Sequence, residues 1–210
     1  TKSSERLLTK LAQQSPHGLP VRRRLLSLAL IRGDFKRASK LIAEIRKIEG
    51  HDGIYWRLAQ ASLDIARARR GALNRLVEAR ELTLEVRDLL ANSPRVAVLL
   101  GHIDLLSGDE ENAAVNLWYA VDLGERSARV FHDLVNLLTR MGRYGEAEDV
   151  LRKFEERQEI PLSQAFGKLA VEVSIQTKNF QRAVRLAQRA VDADPKNIGK
   201  RLWLGRVQLA

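Results

Sequence analysis

The sequence lacks cysteine altogether and is poor in proline and aromatic residues: of its 210 residues, 5 are Pro and 5% are Phe, Trp or Tyr. A chain without thiols has no disulfide, no thiolate-bound metal and no cysteine nucleophile. No stretch approaches the roughly 20 uncharged apolar residues of a membrane-spanning helix, and the first ten residues lack the apolar core of a signal peptide. These absences leave the cellular compartment open, because a thiol-free chain suits the bacterial periplasm as well as the cytoplasm.

Sequence motifs that mark enzymes are also missing. The chain has no glycine-rich phosphate loop, no G-x-S-x-G, no H-E-x-x-H and no acidic calcium-binding loop. Its four histidines are scattered, and a pair formed by His102 and His132 would lack the third ligand that a metal site requires. We therefore expect no catalytic residues, no metal and no cofactor.

Apolar residues recur at spacings of three and four, as in "RASKLIAEIRKI" and "AEDVLRKFEERQ". This spacing places them on one face of a helix, and no segment alternates convincingly in the way that a strand requires. The pattern predicts an all-α chain of about 12 helices, near residues 3–14, 20–32, 35–48, 54–69, 73–91, 96–107, 110–122, 128–141, 144–157, 162–177, 180–192 and 198–209. Trp56, Trp118 and Trp203 lie among Leu, Ala and Val in these segments, so we expect them to pack between helices.

A similar turn recurs between successive predicted helices. A glycine can close the first helix in a left-handed conformation, an aromatic residue covers the turn, and an alanine lets the two helices approach closely. The last two intervals between these alanines are 34 and 36 residues. The four turns are Gly33-Asp34-Phe35 with Ala38, Gly108-Asp109-Glu110 with Ala113, Gly142-Arg143-Tyr144 with Ala147, and Lys178-Asn179-Phe180 with Ala183.

Together with Leu100-Gly101, Leu204-Gly205 and the prolines between pairs, these turns resemble the tetratricopeptide repeat. The resemblance covers nearly the whole chain and implies an α/α solenoid, in which antiparallel helix pairs stack into a right-handed superhelix. It divides the chain into a half-repeat at 1–18, repeats at 19–52, 53–94, 95–127, 128–161 and 162–197, and a half-repeat at 198–210. Since both ends fall inside a repeat, we interpret the chain as part of a longer array, whose exposed half-repeats could pair with another copy.

The repeat at 53–94 departs from the pattern, because it is longer and lacks the glycine–aromatic turn. We expect longer helices here, joined by an extended turn around Gly71. Four arginines near this turn could form a basic docking knob, although a basic run on a helix is more often simply solvated. These residues are Arg67, Arg69, Arg70 and Arg75.

The resemblance also implies a binding surface, because the first helices of tetratricopeptide repeats line a concave groove that holds peptides. Most of the charges at these positions are positive, which predicts a ligand that is acidic or ends in a carboxylate. A branch of the family uses a fixed clamp of Lys and Asn, but His132 and Leu169 stand where the clamp needs these residues. The predicted groove residues are Arg23, Ser27, Arg57, Asp64, Arg95, His102, Arg129, His132, Asn136, Arg140, Lys168, Glu172 and Gln176, all of which could equally be solvated.

Two functions follow from these expectations. The first is a scaffold that binds a partner protein or peptide within a larger assembly. Arginine outnumbers lysine 26 to 10, which is typical of a GC-rich bacterial genome. Bacterial arrays that resemble this one often organise envelope assemblies, so an assembly for polysaccharide export is one hypothesis. The second function is binding of an anionic polymer, either a nucleic acid or an acidic polysaccharide, through the basic N-terminal third. Net charges of +11 for residues 1–80, −7 for 81–150 and +6 for 151–210 favour the scaffold, because the acidic middle interrupts any continuous basic track.

Overall fold

The computed structural model describes residues 2–15, 17–157 and 162–209, and all regular structure in these residues is helical. The described helices are α1 (Lys2–Gln14), α2 (Leu19–Arg32), α3 (Phe35–Glu49), α4 (Ile54–Ala68), α5 (Arg75–Arg87), α6 (Pro94–Ser107), α7 (Glu110–Asp122), α8 (Ala128–Arg140), α9 (Tyr144–Arg157), α10 (Leu162–Gln176), α11 (Phe180–Asp192) and α12 (Ile198–Gln208). The prediction of an all-α chain with about 12 helices is confirmed.

The largest disagreement with the predicted helices lies in the repeat at 53–94. The helix predicted at 73–91 spans only Arg75–Arg87, and α4 is no longer than α3 or α10. The prediction of longer helices is therefore wrong, whereas the extended turn around Gly71 is present. Gly71 adopts a positive φ of 105°, and the turn closes through hydrogen bonds such as Gly71 N–H to the Ala68 carbonyl at 2.9 Å. The additional residues thus lengthen the segments between helices.

The four predicted turns close in the same way. At each turn one residue adopts a left-handed conformation, and the next N–H donates to the carbonyl oxygen five residues earlier. The alanine that follows is almost completely buried, so the second helix begins in close contact with its neighbours. The left-handed residues are Gly33 (φ 70°), Gly108 (φ 83°), Gly142 (φ 72°) and Lys178 (φ 59°), and the buried alanines are Ala38, Ala113, Ala147 and Ala183.

The chain divides into two compact units, residues 1–116 and residues 117–210. Within each unit, helices adjacent in sequence pack against each other. First helices of neighbouring repeats are also in contact: α4 contacts α6 in unit 1, and α8 contacts α10 in unit 2. This is the packing of stacked helical hairpins. The repeat boundaries, the single array across both units and its continuation into further repeats remain predictions.

Unit 1 buries carboxylates among its aliphatic side chains. Asp104 on α6 is 2% exposed, and its oxygens accept from Arg80 on α5 at 2.5 Å and from Asn116 on α7 at 2.7 Å. Asp64 on α4 is fully buried and accepts from Gln60 at 2.7 Å. These bonds supply the partners that a buried carboxylate needs, and the bond from Arg80 connects α5 to the first helix of the next hairpin.

Unit 2 instead contains a cluster of three aromatic rings. Phe154 on α9 lies edge-on to Phe131 on α8 at a centroid distance of 5.2 Å and to Phe166 on α10 at 4.6 Å. All three side chains are buried. Phe166 departs from helical dihedrals (φ −138°, ψ 17°), which marks a kink in α10. Edge-to-face rings therefore join the hairpin α8–α9 to the next hairpin.

The three tryptophans differ in burial. Trp56 is 7% exposed, its indole N–H donates to the His51 carbonyl at 3.2 Å, and the Arg46 guanidinium lies 4.4 Å from its ring. The packing role predicted for Trp56 is confirmed. Trp118 and Trp203 are only half-buried, so they contribute less to the interior than the sequence indicated.

Candidate functional site

The first helices of unit 1 form a pocket with a volume of about 340 Å³. Its polar wall consists of Arg23, Arg24 and Ser27 on α2, Tyr55 on α4 and Arg95 on α6, and we call these five residues the arginine pocket. Within the described part of the chain, no aspartate or glutamate lines it. The apolar remainder of its lining comprises Pro20, Leu26, Leu30, Ile45 and Ala59.

Arg23 is held at this pocket by an aromatic ring. Its guanidinium carbon lies 4.0 Å from the centre of the Tyr55 ring, a cation–π contact between α2 and α4. This contact leaves the edge of the planar guanidinium available, because it uses only the flat face of the group. Ser27 donates its hydroxyl proton to the Arg23 carbonyl at 3.1 Å, so the Ser27 oxygen retains its capacity as an acceptor.

Arg95 reaches the same pocket from α6. Its side chain is exposed to solvent, yet the surrounding walls of the pocket remove part of its hydration. This desolvation, followed by the positive charge of Arg23, lowers the pKa of Arg95 from its ordinary value, while Tyr55 acts in the opposite direction. Because Arg23 and Arg95 line the same pocket, an anion bound there would offset the repulsion between their charges.

The three other predicted groove residues of unit 1 lie away from this pocket. Arg57 directs its Nε to within 2.9 Å of Glu85 Oε2 on α5, and its Nη1 donates to the Gly53 carbonyl at 3.2 Å. The Arg57 side chain is only 12% exposed. His102 is buried within α6. Asp64, described above, lies in the interior, so only Arg23, Ser27 and Arg95 of the predicted residues in unit 1 line the pocket.

The first-helix residues of unit 2 form a different surface. The His132 ring stacks on Phe166 at a centroid distance of 5.8 Å, and its Nδ1 lies 3.3 Å from the Asn136 amide nitrogen. Arg129 lies 4.0 Å from Asp133 on the next turn of α8. A carboxylate thus accompanies the basic residues here. The remaining predicted groove residues, Arg140, Lys168, Glu172 and Gln176, are exposed.

The arginines of the predicted docking knob are largely engaged within unit 1. Arg67 donates to Asp64 at 3.2 Å and to Ser39 on α3 at 2.9 Å. Arg70 lies over the Phe35 ring at 4.6 Å, whereas Arg69 is half-buried. Arg75 is exposed and pairs with Glu78 at 3.2 Å. These contacts hold the extended turn against the preceding hairpin, and docking at this turn stays a prediction.

A second cavity, of about 460 Å³, lies among α1, α2 and α3 of unit 1. Its buried arginine, Arg22, lies 2.9 Å from Glu44 and donates to the carbonyls of Ser15, Gly18 and Ala12. Arg37 in the same wall donates to Thr9 at 3.3 Å. Glu44 therefore pairs with Arg22 in this cavity, although Arg37 and Lys40 leave its lining net positive.

Sequence reasoning missed Arg24 and Tyr55 as parts of the pocket. A signal for Tyr55 was present, because Tyr55 and Arg95 are each the second residue of a first helix, α4 and α6. Residues at matching positions of stacked hairpins lie on the same surface. The matching positions therefore indicate that Tyr55 and Arg95 lie on the same surface.

Residues 2–15, 17–157 and 162–209 offer neither a metal site nor a membrane span. No group of three or more His, Asp or Glu side chains in these residues could hold a metal ion. None of the helices described there combines the length and the apolar character needed to cross a membrane.

Comparisons with known proteins give a consistent fold. No protein-family model matches the chain, and no curated protein matches its sequence. Among solved structures, yeast Tom70 matches 100% of this chain over 44% of its own length, with 14% identity and a TM-score of 0.71. A chain of the APC/C hetero-tetramer Cut9–Hcn1 matches 98% of this chain over 39% of its length, with 15% identity and a TM-score of 0.72.

A tetratricopeptide repeat protein from Parabacteroides merdae matches 99% of this chain over 77% of its own length, with 13% identity and a TM-score of 0.60. The chain thus spans less than half the length of Tom70 and of the Cut9–Hcn1 chain. Identities this low are informative about the fold only. The helix pairs, left-handed turns and buried alanines described above agree with these structural matches. The chain therefore has the tetratricopeptide repeat fold.

Proposed function

We propose that this chain is a non-catalytic, protein-binding scaffold that docks an acidic segment of a partner on the first-helix face of unit 1. The observation that carries the proposal is the arginine pocket, where three arginines line one concavity without a carboxylate among the described lining residues. The fold supports it as well, since helical-hairpin arrays present extended surfaces for partners. The Cut9–Hcn1 structure, which shares this fold, is of a protein hetero-tetramer.

The binding chemistry follows from the guanidinium group. Each guanidinium can donate two parallel hydrogen bonds to a carboxylate, and such charge-assisted bonds are stronger than neutral ones. Arg23 is already oriented by Tyr55, so less conformational entropy is lost when it binds. The apolar part of the lining, with Leu26 and Leu30 on α2, suits an aliphatic side chain next to the acid. The ligand class is therefore an acidic peptide with neighbouring apolar residues.

Binding of an anionic polymer is the weaker alternative. It relied on the basic excess of residues 1–80, but Arg22, Arg57 and Arg67 in this region are paired within the fold. The charge available for a continuous track of phosphates or sugar acids is therefore smaller than the sequence indicated. Membership of a bacterial envelope or polysaccharide-export assembly is a further hypothesis, and co-purification of the full gene product with its partners would test it.

The test compares variants of the pocket with a matched variant elsewhere. A fluorescein-labelled peptide Gly-Glu-Leu-Glu-Leu-Glu-Gly is titrated with the chain by fluorescence anisotropy, alongside the same peptide with Lys in place of Glu. We expect Arg23→Glu with Arg95→Glu to weaken acidic-peptide binding by at least about tenfold, because attraction becomes repulsion. Arg201→Glu with Arg206→Glu, which reverses two exposed arginines of α12 and so changes the net charge equally, should have little effect.

Salt dependence separates the two functions. The affinity of a single-stranded oligonucleotide held by several phosphate contacts falls steeply with salt, in proportion to the number of contacts. Peptide docking through one or two arginines and an apolar contact should vary much less with salt. Equal loss of peptide binding in the pocket variant and in the α12 double variant would show that net charge alone attracts the peptide, and would overturn the proposed site.

A further inference from the structure

The charge of the arginine pocket exceeds what one carboxylate can neutralise. Arg23 and Arg95 approach from different first helices, α2 and α6, and Arg24 adds a third positive charge to the lining. No acidic side chain of the described residues lines the pocket to compensate for them. A bound carboxylate carries a single negative charge, so the second guanidinium would remain unneutralised. The pocket is therefore better matched to a dianion.

A phosphate monoester has the required charge and shape. At pH 7 it carries a charge of about −1.5 to −2 and presents three terminal oxygens, each of which accepts hydrogen bonds. Two guanidinium groups can bind different oxygens of one phosphoryl group simultaneously. A phosphodiester in a nucleic acid carries only one charge per phosphate, so the same comparison disfavours a nucleic-acid backbone.

The size of the pocket agrees with a single phosphorylated side chain. Its volume of about 340 Å³ lies near the lower end of the range in which small ligands bind. The Tyr55 ring fixes the flat face of Arg23, which leaves the guanidinium edge to meet the oxygens. The exposed Arg95 needs no rearrangement of the interior before it binds.

We propose that the arginine pocket binds the phosphoryl group of a phosphorylated side chain within the acidic segment that docks on unit 1. This inference rests on the proposed scaffold function and specifies its ligand. Binding would then be controlled by phosphorylation of the partner, because the unmodified hydroxyl group offers no charge to the two guanidinium groups. The phosphorylated residue would add affinity at one position, while the rest of the segment supplies apolar contacts.

The experiment uses three fluorescein-labelled peptides that differ only at the central residue of Gly-Asp-Leu-Xaa-Leu-Asp-Gly, where Xaa is phosphoserine, Glu or Ser. At pH 7.5 we expect the phosphoserine peptide to bind at least about tenfold more tightly than the Glu peptide. The preference should shrink at pH 5.5, because the second phosphate pKa is about 6 and the group then carries about one charge. The Glu peptide does not undergo this loss of charge.

Three variants locate the effect. Arg23→Gln and Arg95→Gln should each remove most of the preference for phosphoserine, while Arg201→Gln, which removes one exposed arginine from unit 2, should retain it. Circular dichroism establishes that each variant is folded. Equal affinity for the phosphoserine and Glu peptides would overturn the phosphoryl inference but leave the scaffold proposal intact.

Other outcomes are also decisive. A preference that survives both pocket variants would place the phosphate elsewhere and would overturn the inference. Failure of all three peptides to bind would overturn the inference and the proposed acidic ligand together. Tighter binding of a ten-residue oligothymidylate than of the phosphoserine peptide would favour the nucleic-acid alternative and contradict both proposals.

Discussion

Unit 1 and unit 2 use the same helical hairpin but join successive hairpins with different chemistry. In unit 1 the buried carboxylate of Asp104 receives hydrogen bonds from two neighbouring helices, whereas in unit 2 Phe131, Phe154 and Phe166 meet edge to face. Polar bonds require specific partners, while aromatic rings require volume and shape. The comparison shows that the repeat pattern determines the hairpin but leaves the junction between hairpins open to variation.

Their first-helix faces differ in a related way. Unit 1 gathers Arg23 and Arg95 without a compensating acid among the described pocket residues, while Arg129 of unit 2 lies beside Asp133. The same type of residue at a first-helix position thus faces a repulsive neighbour in one unit and an attractive neighbour in the other. We expect anionic ligands to distinguish the two faces for this reason.

The largest predicted effect tests the aromatic junction. Phe154→Ala removes a fully buried ring that touches two others, and we expect it to lower the free energy of unfolding by about 3–5 kcal/mol. Hydrogen exchange should show the lost protection in α8, α9 and α10, which carry the three rings. Phe180→Ala is the matched control, because Phe180 is 46% exposed and should cost less than about 1 kcal/mol. Similar losses for the two variants would contradict the role of the cluster.

The second prediction tests the polar junction of unit 1. Asp104→Ala deprives Arg80 and Asn116 of their acceptor, and we expect a loss of about 2–3 kcal/mol in urea unfolding. The loss should be below that of a fully buried pair, because the Arg80 side chain is 40% exposed and can turn towards water. In unit 2, Asp149→Ala breaks the more exposed pair with Arg152 and should cost at most about 0.5 kcal/mol. If the Asp104 variant is as stable as the Asp149 variant, the buried carboxylate does not join the hairpins.

The helices could be predicted from the sequence because each signal has a local physical cause. Gly33, Gly108 and Gly142 occupy left-handed positions that most residues avoid, and the alanines that follow are small enough for close packing. The repeat at 53–94 lacks this local signal. Periodicity alone therefore predicts longer helices on both sides of the Gly71 turn, whereas residues 69, 73–74 and 88–91 lie outside α4 and α5.

The candidate site was less predictable because ion pairing depends on neighbours distant in sequence. Arg57 and Arg95 both lie on first helices, yet Arg57 pairs with Glu85, 28 residues away, while Arg95 remains in the pocket. Helical periodicity indicates which face a side chain occupies, but it does not indicate which opposite charge will lie within reach. The contact between Arg23 and Tyr55 joins two repeats and was missed for the same reason.

The smallest predicted effect concerns the turn that both units share. Lys178 in unit 2 adopts φ 59°, the conformation that glycine occupies at Gly33 in unit 1. Lys178→Gly should relieve the strain of a side chain in the left-handed region, and the greater entropy of the unfolded glycine chain offsets part of this gain. We expect a net stabilisation of about 0.5–1 kcal/mol, seen as a higher urea midpoint with an unchanged slope.

The reciprocal change in unit 1 should act in the opposite direction. Gly33→Ala introduces a methyl group at φ 70°, where it also meets the Arg70 guanidinium that covers Phe35. We expect a loss of about 1 kcal/mol from the backbone, and a further loss to the extent that Arg70 must leave the Phe35 ring. Because Arg70 ends a flexible side chain, Arg70→Ala in the Gly33→Ala background separates the two contributions. If Gly33→Ala costs as much in the Arg70→Ala background as in the natural sequence, the backbone conformation accounts for the whole effect, and the turns of the two units differ only in the residue that occupies the left-handed position.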